Sequence, residues 1–219
     1  MNAATSADGK LSTRERRQVR ISGEADFGRV DRLRAASDAI LVGVGTVLAD
    51  DPSLTRHDRE RRRSLRERGL VGDGPPARVV ADSRARTPAD AAILAGDPPT
   101  HVFASEAAPA DRREALADAG ATVHVAGEER VDLASLVGTL DAGGANQLMV
   151  EGGGELIFSL LEAGLVDRLS VFVGPMVIGG RDAPTLADGE GFLDGFPELR
   201  LEGVEPLDDG ALLRWDVVG

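Results

Sequence analysis

The sequence predicts an α/β protein built on a mostly parallel central sheet flanked by helices, with a C-terminal antiparallel hairpin, and three observations lead there. Short runs rich in Val and Ile alternate with alanine-rich amphipathic stretches, glycine clusters follow several of those runs, and two long segments flank Asp-Asp-Gly near the end of the chain. The strand candidates are "AILVG" (39–43), "ARVVAD" (77–82), "HVFAS" (101–105), "TVHVA" (122–126), "QLMVEG" (147–152) and "LSVFVGP" (169–175). Nearly unbroken apolar runs of this length are what a parallel sheet buried on both faces requires. Between them, helices are expected over 26–36, 109–119, 132–141 and 153–163, the first with Ser22 as a candidate N-cap. "LRLEGVEPL" and "ALLRWDVV" around "DDG" read as the hairpin. The segment "RHDRERRRSLRERGLVGDG" (56–74) looks inserted. Its density of Arg, Asp and Glu favours a solvated loop or short charged helix over a regulatory or anion-binding role.

Composition limits the function. A chain of 219 residues suits one domain, here taken as residues 1–219. Its 37 acidic residues against 25 basic ones give a net charge of −12, which opposes binding to nucleic acid or an anionic membrane. Lys10 is the only lysine among those basic residues. An acidic, arginine-over-lysine surface fits a halophilic protein whose folding improves toward molar salt, where like-charge repulsion is screened. The absence of cysteine removes disulfides, thiolate nucleophiles and Cys-based metal sites, and no metal is expected. No apolar stretch approaches a membrane span and no signal architecture opens the chain, so a cytoplasmic location is expected.

Three glycine junctions carry the chemistry. In "LVGVGTVLADDPSLT" the strand ends at Gly43, Gly45 permits a tight turn and Thr46 opens a short helix whose N–H groups and hydroxyl can hold an anion. Asp50 follows one helical turn after Thr46, and Asp51-Pro52 ends the helix. In "LMVEGGGELIFSLLEAGLVDRL" three glycines stand between a buried strand and a helix. Their entropic cost implies that something large, such as a pyrophosphate, approaches the backbone of Gly152, Gly153 and Gly154. Glu151, at the strand's carboxyl end, is read either as a site residue or as a carboxylate favoured by the helix dipole. "VGPMVIGG" (173–180) is explained equally by packing and by a site. "DSRARTP" (82–88) offers Ser83, Arg84 and Arg86, whose hydroxyl and guanidinium groups match a 2′-phosphate.

"NAATSADGK", "RLRAASDAILVGVGTVLADDPSLT", "VVADSRARTP", "LMVEGGGELIFSLLEAGLVDRL" and "GPMVIGG" together resemble the riboflavin-pathway reductase family. That family comprises the archaeal and fungal 2,5-diamino-6-(ribosylamino)-4(3H)-pyrimidinone 5′-phosphate reductases, and is similar to the reductase half of bacterial bifunctional deaminase–reductases. The resemblance runs in order from residue 2 to about 190 and implies a dihydrofolate-reductase-like fold and a homodimer. It also implies reduction of a ribosyl to a ribityl chain on a phosphorylated pyrimidine, with hydride from NADPH or, in some members, NADH. By position, cofactor contacts would fall on Thr46, Asp50, Ser83, Gly152, Gly153, Gly154 and Glu155, with Arg84 added by its place beside Ser83. Substrate contacts would fall on Asn2, Ser6, Arg34, Leu54 and Glu151, with Arg34 favoured for the 5′-phosphate.

The chain departs from the family's pattern in two places. Many relatives have Leu-Thr-Val-Arg where this chain reads "LTRH", so either Arg56 or His57 would reach the phosphate. Met1 stands where the first strand should end, implying a late start or a shortened strand. The zinc deaminase motif is absent. For proton transfer the available groups are Lys10, Asp50 and Glu151, with the assignment among them open. Two other readings remain: a dihydrofolate-reductase-like reductase of another pterin or pyrimidine, and a non-catalytic NADPH-binding module.

Overall fold

The computed structural model describes residues 1–218. The chain groups into two compact units, Met1–Arg29 with Val150–Gly219, and Val30–Met149. Its strands are β1 (Asn2–Ser6), β2 (Ala39–Gly43), β3 (Ala77–Ala81), β4 (Thr100–Ala104), β5 (Thr122–Val125), β6 (Leu148–Gly152), β7 (Arg168–Gly174), β8 (Glu198–Leu207) and β9 (Gly210–Val218). The helices are α1 (Glu24–Ala36), α2 (Val44–Asp50), α3 (Arg59–Glu67), α4 (Ala110–Asp118), α5 (Leu133–Ala142) and α6 (Gly154–Glu162). One sheet has the order β5-β4-β3-β2-β6 and the other β1-β7-β9-β8.

In the unit Val30–Met149, β2, β3, β4 and β5 pair in parallel, with Ile40 opposite Arg78 and Val80 opposite Val102. The apolar runs that identified these strands are buried: Ile40, Leu41, Val42, Val79, Val80, Val102 and Phe103 have no exposed surface. Each such side chain contributes about 1.5–3 kcal/mol by leaving water. Arg78, only 1 % exposed, breaks the apolar pattern. Its guanidinium donates to the carbonyls of Ser53, Ala95, Gly96 and Pro98, so a sheet residue ties down the loops beside it.

The inserted segment contains a short charged helix, one of its two expected forms. Asp58 caps α3 by accepting from the Arg61 amide at 2.9 Å, and Arg62 on that helix is buried. The Arg62 guanidinium donates to the carbonyls of Ala35, Ser37, Gly72 and Gly74. A guanidinium's five donors let one side chain fasten the C-terminal end of the insertion to the end of α1 and the turn after it.

His101 on β4 and His124 on β5 form a second polar contact, with Nδ1 of His101 3.0 Å from Nε2 of His124 and the latter ring stacked on Phe103. Burial lowers both pKa values, and the neighbouring His124 lowers that of His101 further. Folded-state values below the unfolded value of about 6.5 mean that protons bind the unfolded chain more tightly. Stability contributed by this pair is therefore complete above that pH and lost as pH falls through the folded values. Urea midpoints are expected to drop from pH 7.5 to 5, and the drop to shrink in His101→Gln/His124→Gln. An equal drop in that variant would remove the pair as its cause.

In the other unit, β1 pairs in parallel with β7, Asn2 opposite Ser170 and Ser6 opposite Gly174. Asn2–Ser6 is thus a full strand where the sequence placed only a strand's end. β7 continues antiparallel to β9, and β9 to β8, giving the hairpin with a bulge between Leu201 and Gly203. Phe172, Leu212 and Ile21 form its buried centre. The expected cap of α1 is corrected. Ser22 donates its hydroxyl to the Asp26 side chain, while Asp208 from the hairpin turn accepts from the amides of Ala25 and Asp26. A Cβ on Gly23 would lie 2.3 Å from Cγ of Asp208, which explains the glycine ahead of this remote cap.

Candidate functional site

Within the unit Met1–Arg29 and Val150–Gly219, the stretch after β1 folds around Asp8. Ser6, fully buried, donates its hydroxyl to Asp8 at 2.6 Å and accepts from the Lys10 amide at 3.0 Å. The Asp8 carboxylate also accepts from the amides of Ile178 and Gly179. These bonds, that from Ser6 foremost, hold its carboxyl down at a pKa of about 2. The turn of "VGPMVIGG" anchors the Asp8 loop, reinforced by the Ala7 amide donating to the Met176 carbonyl.

That loop delivers Lys10 to a second segment. Its ammonium donates to the Ala183 carbonyl at 3.2 Å, Lys10 bridges to Thr185, and the Leu11 amide donates to Pro184. The same segment meets the glycine junction. The Asp188 amide donates to the Gly154 carbonyl, and a Cβ on Gly154 would lie 2.4 Å from the Thr185 carbonyl oxygen. The protein's own backbone therefore accounts for Gly154, where the sequence implied an approaching ligand. Gly152 has φ +119° and a cis bond to Gly153, a backbone that side-chain-bearing residues rarely adopt. Gly153 precedes α6 with no side chain capping the helix, which leaves its first amides to other acceptors.

The remaining predicted residues of this unit are placed as follows. Glu151 is the half-buried fourth residue of β6. Glu155, in the first turn of α6, lies 3.8 Å from Arg16, both side chains exposed. Asn2 is committed inside the protein, its side-chain oxygen accepting from Arg29 at 2.8 Å. Arg29 also reaches Asp26 and Ser170, so it locks β1, β7 and α1 together.

Within Val30–Met149, α2 begins two residues earlier than expected. Gly43 precedes it, Val44 is its first residue, and Thr46 is third; Gly45 lies in the helix, where the sequence implied a turn. A Cβ on Gly45 would meet nothing within 4 Å, so no protein contact explains this glycine. Asp50 closes α2; although its side chain reaches solvent, its surroundings withhold enough water to raise its pKa. Asp51 ends the helix with φ +42° and accepts from the Ala92 amide. Leu54 has φ +50°, and its side chain is buried in the apolar cluster with Val47 and Ile93, so only its backbone is available to a ligand.

The basic candidates are unequally available. Arg34 donates to the Arg56 carbonyl at 3.2 Å, whereas the Arg56 side chain is paired with Asp31 at 2.8 Å. His57 bonds the Thr55 carbonyl through Nδ1. Arg84 pairs with Glu129 at 2.6 Å and also donates to the Ala107 carbonyl. The Ser83 hydroxyl accepts from the Val131 amide. Asp82, with no exposed surface, shapes this turn by accepting from the amide and hydroxyl of Thr87.

Sequence reasoning missed Asp8, Asp82 and Asp208, because a carboxylate that organises a loop from a distance resembles any other in an acid-rich chain. The available signal was local: Ser-Ala-Asp-Gly (6–9) and Asp-Ser (82–83) are turn sequences directly after strands.

The model of the RibD C-terminal domain matches residues 1–213. A 2,5-diamino-6-ribosylamino-4(3H)-pyrimidinone 5′-phosphate reductase of Archaeoglobus fulgidus is 48% identical over 210 residues, covering 96% of this chain and 93% of the relative. The reductase of that name from Methanothermobacter thermautotrophicus is 46% identical over 202 residues, covering 92% and 88%. Among solved structures, Acinetobacter baumannii RibD superposes with a TM-score of 0.78 at 26% identity over 100% of this chain, which spans 57% of that protein. The Saccharomyces cerevisiae riboflavin biosynthesis reductase Rib7, at 19% identity and a TM-score of 0.69 over 99% of this chain and 88% of its own, shares the fold.

Proposed function

The chain belongs to the RibD C-terminal domain family, whose reductase members place it among the oxidoreductases of riboflavin biosynthesis, and on that premise we propose the reaction and its residues. The substrate is 2,5-diamino-6-(ribosylamino)-4(3H)-pyrimidinone 5′-phosphate, the product carries a ribityl chain, and residues 1–219 act as one reductase. The observation that carries this reading is the convergence of Lys10 and the Gly152–Gly154 turn on the segment from Ala183 to Asp188. An amine is thereby held on the same segment as a glycine backbone that leads into an uncapped helix.

NADPH is the proposed cofactor, and when bound it supplies the hydride that C1′ of the substrate accepts. The fit rests on two features: the open space over Gly45, and the uncapped start of α6 for the pyrophosphate. The proposed cofactor contacts are Thr46, Asp50, Ser83, Gly152, Gly153, Gly154 and the Glu155 backbone. The 2′-phosphate falls to the Ser83–Arg86 turn, where Arg84 is already paired and Arg86 is exposed. Lys10 delivers the proton that balances the hydride, to the departing ring oxygen or the imine nitrogen as the ribose opens. Arg34 holds the 5′-phosphate; of the two neighbours, Arg56 is spent on Asp31.

The test is direct: purified protein, NADPH and the ribosylaminopyrimidine phosphate, with cofactor oxidation followed at 1:1 stoichiometry against ribityl product. Tight NADPH binding without turnover would instead favour a binding module, and turnover only with another pterin would reassign the substrate.

Gly45 offers a sharper probe of the cofactor's position. Gly45→Ala and Gly138→Ala both add a Cβ to an exposed helical glycine with nothing within 4 Å. Both should leave stability unchanged or raise it by up to about 1 kcal/mol. Only Gly45→Ala is expected to raise KM for NADPH, by roughly tenfold if a methyl displaces one close contact. Equal KM values in the two variants would move the cofactor away from α2.

The homodimer is proposed on the exposed face of β8, where Leu199, Leu201 and Val204 are 43%, 56% and 58% exposed on an edge strand. Such an edge is unfavourable in a monomer. Sedimentation of Leu201→Lys should show a shift to monomer, and an unchanged dimer would place the interface elsewhere.

A further inference from the structure

The inserted helix α3 carries arginine at 59, 61, 62, 63 and 66, and beside it is a cavity of about 240 Å³. Its lining is His57, Arg59, Arg62, Arg63, Arg66, Gly74 and Pro75, so every ionisable side chain in it is basic. Arg62 forms a fixed part of the wall, buried and held by four backbone carbonyls with no carboxylate bonded to it. Arg66 approaches only Asp73, at 3.9 Å with the latter almost fully exposed. Among the described residues, neither the Arg59 nor the Arg63 side chain has a hydrogen-bonding or ion-pair partner.

This grouping is costly in the free protein. Arg59, Arg63 and Arg66 follow one another at i+4 and i+3 on α3, spacings at which like charges destabilise a helix by a few tenths of a kcal/mol each. The chain has 37 acidic residues, yet none lines this cavity. A concave surface of one charge sign concentrates counter-ions, and guanidinium forks match tetrahedral oxyanions in geometry as well as charge. The cavity is smaller than the roughly 300 Å³ at which pockets begin to enclose drug-sized molecules, so it suits one phosphate or pyrophosphate group.

We propose that the α3 cavity binds a phosphate oxyanion, free or as the terminal group of a metabolite, in addition to the substrate phosphate placed on Arg34; of the substrate candidates only His57 also lines it. The inserted segment, whose charge first suggested plain solvation, supplies Arg59 and Arg63 as the mobile clamp and Arg62 as the rigid wall.

Binding is read by calorimetry without turnover, so failure of the proposed reaction would not hide it; only the KM comparison uses turnover. Inorganic phosphate and pyrophosphate are titrated by calorimetry into the wild-type protein and into Arg59→Gln/Arg63→Gln, at constant ionic strength. Glutamine preserves helix propensity, and circular dichroism checks that α3 persists; Arg63→Gln alone serves if the double variant does not fold. Expected results are saturable binding in the wild type, at least tenfold weaker binding in the variant, and an unchanged KM for the pyrimidine phosphate. Saturation by pyrophosphate but not by phosphate would assign the cavity to a diphosphate group within the same proposal. No saturable binding in the wild type, or equal affinity in the variant, overturns it. A KM that rises in step with the lost phosphate affinity also overturns it, because the cavity would then belong to the reaction's own phosphate.

Discussion

Arg78→Met is expected to lower the free energy of unfolding by about 3–5 kcal/mol, because several hydrogen bonds from a charged donor are lost together. Methionine fills much of the volume, so the loss isolates the guanidinium. Four carbonyls, those of Ser53, Ala95, Gly96 and Pro98, lose their donor inside the protein, and each buried acceptor left unpaired costs about 1–3 kcal/mol before relaxation. Those carbonyls belong to the loop that contains Leu54 and to the turn before β4. The variant should therefore loosen the backbone around Leu54 together with the sheet. For a chain of this size the expected fall in Tm is about 10 °C, from roughly 2–4 °C per kcal/mol. Burial lowers the Arg78 pKa, which is the electrostatic cost that the carbonyl bonds offset. A fall of less than about 1 kcal/mol in urea unfolding would mean that the guanidinium's desolvation cancels its hydrogen bonds.

Arg78 and Arg62 show why some of the protein could be read from its sequence and some could not. β2, "AILVG", was identified with its observed bounds because a fully buried parallel strand is a local, unbroken apolar run. The helices at 26–36, 109–119, 132–141 and 153–163 were placed to within two residues, because periodicity and glycine boundaries are also local. The hairpin followed from Asp-Asp-Gly, and the family from five motifs in order. What was not legible depends on partners distant in sequence. Asp208 caps α1 from 182 residues away, and nothing near Ser22 indicates that. Arg62 looked like one more solvated arginine in a charged run, since only the fold brings four carbonyls around it. Gly154 shows the same limit: its entropic cost was visible in the sequence, but the sequence could not say whether a ligand or the protein's own Thr185 lay against it. Gly45 is the complementary case, a glycine whose freedom the protein itself does not use.

Replacing Lys10 with alanine is expected to reduce kcat by about 10²–10⁴, the contribution of a positioned proton donor, with little effect on NADPH affinity or on folding. The fold should tolerate the change because the loop is held by other groups. Ser6 and Asp8 bind the backbone of Lys10, Ile178 and Gly179 without using the ammonium, which among the described residues donates to the Ala183 carbonyl. Lys10→Arg separates two roles. A guanidinium keeps the charge but does not give up its proton in a protein, so it can stabilise developing negative charge without acting as an acid. If Lys10 delivers the proton, arginine leaves kcat as low as alanine does; if it acts only as a positive charge, arginine restores most of the rate. Asp50→Asn and Glu151→Gln complete the comparison, since Asp50 has a raised pKa and can hold a proton nearer neutrality than an ordinary aspartate. Should Asp50 be the donor, the slow variant will be Asp50→Asn, and the fall in rate toward higher pH, where the donor loses its proton, will be lost with it. Wild-type kcat in both Lys10 variants would remove the amine from the chemistry and leave the chain's single lysine as a tether between the Asp8 loop and the Ala183 carbonyl.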